Sequence, residues 1–161
     1  MDKIAIVSRS FWPDNPAIGE ALLLLSESLT KHEQPIVITQ VAKGFEKQLR
    51  TLRRGNGVKF STLPSLTNSS SHILSRVLEL LFFTLFVFSS LCLYRPDKVY
   101  VATNPPIFTP LAVRWYCWLF NKKYVYHLQD IHPEATHVIT GKANWIMRLL
   151  LSIDVKTTKK A

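Results

Sequence analysis

Two carboxylates, Asp130 and Glu134, and the amide of Gln129 follow directly on Lys123 to Leu128 (KYVYHL), an aromatic and β-branched run that reads as a strand. Ligands of open α/β sheets sit against the carboxyl ends of the strands, so a carboxylate there can orient or deprotonate a substrate group. The plainer account has Asp130 capping the next turn and Glu134 in solvent. Thr103 and Asn104 close an earlier run, Asp97 to Ala102 (DKVYVA), and lead into Pro105-Pro106. They offer a hydroxyl and an amide to a ligand, or form an Asn-Pro turn. Gly19 opens a helical stretch without steric cost, and it would also let a ligand approach backbone N–H groups near a helix N-terminus.

Other constellations carry less. His127, His132 and His137 recur at every fifth position, but His127 falls inside a strand, so core or cleft histidines are expected and no metal site. Cys92 and Cys117 lie in apolar segments with no CxxC pair, which fits buried free thiols in a reducing compartment. No GxGxxG is present, so no dinucleotide cofactor is expected.

The elements that must position these groups follow from hydrophobic period. Lys3 to Ser8 (KIAIVS) and Ile36 to Gln40 (IVITQ) read as buried strands, and between them Leu22, Leu25 and Leu29 form the stripe of a helix over Ile18 to Lys31. This is a βαβ unit, hence a parallel sheet. A short strand over Val58 to Leu63 and a loop over Pro64 to Ser71 come next. Helices over Ile73 to Tyr94, Ile107 to Phe120 and around Ala143 to Ser152 complete the alternation. The expected fold is a doubly wound, Rossmann-like α/β sheet, with ligand loops at Arg9 to Gly19, Thr103 to Pro106 and Gln129 to His137.

With 161 residues, 47% of them hydrophobic and 19% charged, one folded domain is expected and disorder is excluded. The formal net charge of +9 suits an anionic partner. Its densest run, with Lys47, Arg50, Arg53 and Arg54, is either a solvated face or a patch drawn to anionic lipid headgroups. Nucleic acid is not expected, because the charge is not interleaved with exposed-looking aromatics. Inside the longest apolar segment the uncharged run Leu80 to Tyr94 falls short of the roughly 20 residues of a membrane span. A buried or interfacial helix is expected, and one so apolar must cover a second face against a domain, a partner or lipid. The start, MDKIAIVSRSFW, lacks the apolar core of a signal peptide, which implies a cytoplasmic protein.

Three phrases carry a resemblance. Phe11-Trp12-Pro13-Asp14 with Gly19 and Val37-Ile38-Thr39, then VYVATNPPIFTPLAV, then YVYHLQDIHPEA, taken in this order, resemble the first half of retaining glycosyltransferases of family 4, which have the GT-B fold. The third is similar to the branch that builds capsule, O-antigen and colanic-acid repeat units. The resemblance implies an acceptor-side domain, truncated before its last strands. The nucleotide-sugar donor and its Glu-x7-Glu pair would belong to a missing C-terminal domain or a partner chain. It implies catalytic roles for Asp130 and Glu134, and substrate contacts at Phe11, Asn15, Gly19, Thr103, Asn104 and Gln129, with a diphosphate near Gly19. The acceptor would be a polyprenyl-diphosphate saccharide at the inner face of the cytoplasmic membrane. No cofactor is implied for this chain itself.

Overall fold

In a computed structural model, which describes residues 2–65, 72–103 and 107–127, the elements alternate without exception. They run β1 (Lys3–Ser8), α1 (Pro16–Leu29), β2 (Gln34–Val41), α2 (Phe45–Thr51), β3 (Lys59–Pro64), α3 (Ile73–Tyr94), β4 (Lys98–Ala102), α4 (Phe108–Phe120) and β5 (Lys123–His127). All strand pairs are parallel, in the order β3-β2-β1-β4-β5. This is the expected Rossmann-like doubly wound sheet, and the direction of winding reverses between β1 and β4. The expected helix around 143–152 lies outside the described residues.

Strand side chains alternate between two apolar faces because their period is two. Ala5, Val7, Ile36, Ile38, Val99 and Val101 point to the side covered by α3 and α4. Ile6 and Val37 point to the other side, under α1 and α2. A central parallel strand buried on both faces therefore reads as an apolar run, as Ile4 to Val7 of β1 and Pro35 to Ile38 of β2 do.

Local chemistry fixes the boundaries. Pro16 occupies the first turn of α1, where its missing N–H costs nothing. Arg95 ends α3 in the left-handed region, with φ of 49°, just before Pro96, and Asn121 ends α4 in the same way, with φ of 50°. The helix α2 was not expected. Among its seven residues only Phe45 and Leu49, one turn apart, are buried, a pattern too brief to announce a helix.

The helix α3 buries Phe83, Val87 and Leu91 completely against the sheet. Its opposite side leaves Leu74, Leu81, Phe82 and Leu85 exposed, and on α4 Trp115, Trp118 and Leu119 do the same. By length and composition α3 is long and apolar enough to cross a membrane. Its connections place it otherwise. It joins β3 to β4, two parallel strands of one sheet, so it runs along that sheet's face as a crossover.

Candidate functional site

The carboxyl ends of β1, β4 and β5 lie side by side, and the crevice between β1 and β4 is where this topology binds ligands. Its first wall is the loop from Arg9 to Asn15, which is held at three points. The Phe11 ring meets Phe45 and Phe60 edge to face at 6.2 Å, the Trp12 ring lies 6.4 Å from Phe45, and the Asp14 carboxylate accepts the Ala42 N–H at 3.1 Å. At 1% exposure Phe11 is a core residue, which corrects its expected place among substrate contacts: its ring anchors the loop.

Gly19 also has a packing role. A Cβ there would stand 2.2 Å from the Trp12 nitrogen and 2.5 Å from the Phe11 carbonyl carbon, so the chain's own backbone fills the space beside it. Asn15 is the N-cap of α1 and makes no side-chain capping bond, although its carbonyl accepts the Gly19 N–H at 2.8 Å. Its half-buried amide, at the mouth of the crevice and beside the helix N-terminus, is the expected contact that the fold leaves at hand for a ligand.

The second wall is built by the ends of β4 and β5. The Thr103 hydroxyl, 4% exposed, donates to the His127 carbonyl at 2.8 Å, which ties the two strand ends together. The Tyr100 hydroxyl bonds His127 Nδ1 across the same pair of strands, and burial pushes the Tyr100 phenol up from its ordinary range. Asn104, Gln129, Asp130 and Glu134 lie outside the described residues. The strands that lead into them, β4 and β5, are neighbours.

A buried polar network, not foreseen from the sequence, closes the carboxyl ends of β1 and β2. Arg9 Nε donates to Gln40 Oε1 at 2.7 Å, and its terminal nitrogen meets Glu79 Oε2 at 2.8 Å. The Gln40 amide donates to Glu79 Oε1 at 2.7 Å and to the Pro64 carbonyl at 3.2 Å. The Glu79 side chain is 5% exposed, so the one acid of the apolar helix α3 points inward and both its oxygens are engaged. A buried carboxylate is tolerable only with such partners. Its members lie 31 and 70 residues from Arg9 along the chain, beyond any local pattern.

The basic residues split. The Arg54 guanidinium is spread over Glu27 and Glu20, with Nε to Glu27 at 2.9 Å and Nη1 to Glu20 at 2.9 Å, which corrects its expected role as a lipid contact. Hydrogen bonds from Arg54, with one from the Gly55 N–H, hold the Glu27 carboxyl below its ordinary value against the opposing effect of burial. Lys47, Arg50 and Arg53 remain exposed, and Arg50 meets Glu46 only at 3.6 Å. They belong to α2 and its following turn, across the sheet from α3. A parallel crossover thus puts the basic run and the apolar helix on opposite faces of the sheet.

A broad depression of about 790 Å³ between α4 and β5 is lined by Arg114, Trp115, Trp118, Lys122 and Tyr124. It opens beside the amino end of β5 and is separate from the crevice. Both cysteines are free, and burial pushes the Cys117 thiol up to about 12. Among the described residues no cluster of His, Cys, Asp and Glu could hold a metal ion.

No family model matches the chain, and no curated protein matches it. Among solved structures it is similar to the C-terminal domain of a hydrogenase from Pyrococcus furiosus, with a TM-score of 0.53 and 12% identity over 79% of this chain and 92% of that one. At that identity the likeness is one of fold: a five-stranded parallel sheet between helices is a scaffold that recurs with many chemistries.

Proposed function

We propose that this chain is the acceptor-side domain of a retaining glycosyltransferase that uses a lipid-linked, polyprenyl-diphosphate saccharide in surface polysaccharide synthesis. One observation supports it above the others. The three phrases that resemble family 4 enzymes run from the end of β1 into β2, through β4 and through β5, and the sheet order makes these four strands consecutive. In the transfer the acceptor oxygen forms its bond to the anomeric carbon as the bond from that carbon to the nucleoside diphosphate breaks, and the hydroxyl proton is released. The chain's share is positioning, with Asn15 and the loops after β4 and β5 as the contacts and Asp130 as the group to orient or accept the proton. The nucleotide-sugar donor belongs to a second domain or a partner chain, and the site faces the cytoplasmic side of the membrane.

A photoactivatable polyprenyl-diphosphate saccharide in vesicles tests this reading. Cross-links to peptides spanning Arg9 to Gly19 are expected, competed by unlabelled saccharide lipid and not by polyprenyl phosphate. Labelling indifferent to the saccharide refutes the acceptor role. The chain alone, given nucleotide sugars, is expected to transfer nothing, and appreciable turnover would overturn the need for a donor domain.

The exposed apolar face of α3 and α4 favours a second reading, a non-catalytic membrane-associated module whose donor half is a separate chain. Co-purification with a chain carrying a Glu-x7-Glu pair, together with no acceptor cross-linking, would select it.

A further inference from the structure

We infer that the outer face of the α3/α4 layer is the membrane-docking surface, lying flat in the headgroup region of an anionic bilayer while the sheet stays in water. The inference rests on the proposed reading only for its location in the cell; the surface itself is argued from the structure.

Three observations carry it. The outward stripe of α3 is apolar but for Ser89, from Leu74, 69% exposed, through Phe82 at 65% and Leu85 at 64% to Leu93 at 74%. A patch of this extent marks an interaction site. On α4 the neighbouring stripe carries Trp115 and Trp118, 60% and 77% exposed, with ring centroids 6.5 Å apart. Indole rings combine an apolar body with a polar N–H and concentrate at the boundary between hydrocarbon and water.

Charge selects lipid over a protein partner. The helix α3 has one acid, and Glu79 is turned inward onto Arg9, while α4 has none. Arg114 stands beside Trp115 and Trp118, and at the end of α3 the Arg95 guanidinium lies 6.0 Å from the Phe120 ring of α4. Asp97, two residues after Arg95, is tied to Lys122 at 2.7 Å and to the Lys3 N–H. An apolar face with tryptophans and a basic border matches an anionic headgroup layer. Depth follows from topology. The inner side of α3 is spent on the sheet and both its ends feed strands of that sheet, so the helix lies in the interface and does not span.

The test uses the whole chain and vesicles of phosphatidylcholine, with or without phosphatidylglycerol, that contain no sugar-bearing lipid. Co-sedimentation is expected with the anionic vesicles and weakens about fivefold for each basic residue no longer engaged when the anionic lipid is omitted. Leu85→Glu and Trp118→Glu, both at outward positions, are each expected to lower partition roughly tenfold or more with circular dichroism unchanged. Lys47→Glu with Arg50→Glu, across the sheet, leaves partition as it was. Alkaline carbonate is expected to release the bound chain. Equal partition of the outward variants, retention through carbonate, or a dimer that Leu85→Glu dissociates without any vesicle binding would each overturn the inference. Vesicle docking without acceptor cross-linking would remove the sugar-transfer reading and leave this surface standing.

Discussion

Replacement of Gly19 by alanine sets two effects of opposite sign against each other. Gly19 lies in the first turns of α1 and donates its N–H to the Asn15 carbonyl at 2.8 Å. Helix propensity alone predicts that alanine stabilises by about 0.5–1 kcal/mol. The added Cβ would stand 2.2 Å from the Trp12 nitrogen, and reaching an ordinary 3.4 Å contact requires a retreat of about 1.2 Å. The obstacle is backbone, and it is pinned by the Phe11 ring against Phe45 and Phe60 and by the Asp14 bond to Ala42. Overpacking against so fixed a neighbour costs about 1–3 kcal/mol, so steric strain wins. A net loss of about 1–2 kcal/mol corresponds to a urea midpoint lower by roughly 0.5–1 M at an m-value of about 2 kcal/mol/M. Equilibrium unfolding followed by tryptophan fluorescence measures it. A Gly19→Ala chain that unfolds at higher urea than the parent would refute the account of the loop.

Glu79→Leu leaves Arg9 and Gln40 without their shared acceptor and is expected to destabilise by about 3 kcal/mol, the low end for a broken buried pair because Arg9 is 26% exposed. Combining it with Arg9→Met should recover much of that loss in the same urea titration. Glu27→Gln is expected to cost about 1–2 kcal/mol at neutral pH through its bonds to Arg54 and Gly55. Because the Glu27 carboxyl is held below the ordinary glutamate value of 4.5, its contribution is full above that value and fades as the pH falls through the lower folded value. Parent and variant stabilities should therefore converge in acid. Cys117, with its thiol at about 12, should resist alkylation at pH 8 in the native chain and react rapidly in urea; fast native labelling would contradict its burial.

The alternation of β1, α1, β2, β3, α3, β4, α4 and β5 was legible because each element repeats one period long enough to be seen, and β1 and α3 have the bounds that their hydrophobic runs announce. The site was legible only in part. The sequence shows which polar residues follow strands, but not that Phe11 turns into the core to hold a loop or that Arg54 folds back on two glutamates. Those outcomes depend on partners such as Phe45, Phe60, Glu20 and Glu27, which the sheet and its helices bring near. The inward turn of Glu79 was equally hidden, since a lone acid in an apolar helix announces neither its direction nor its partner. Reading α3 as apolar on nearly all sides was right in composition. Which side would stay bare depended on the strands it crosses.

The central place of β1 also has a consequence for how the chain is made. Its β2 edge is paired almost at once, whereas its other edge waits for β4, where Asp97 accepts from the Lys3 N–H across a separation of 94 residues. At about 5–20 residues per second a growing chain holds that edge open for roughly 5–20 s. During that interval Ala5, Ile6 and Val7, wholly buried in the finished sheet, sit beside unpaired backbone that any other extended strand can join. Slowing synthesis before β4 should therefore raise the insoluble fraction, and slowing it after β4 should not.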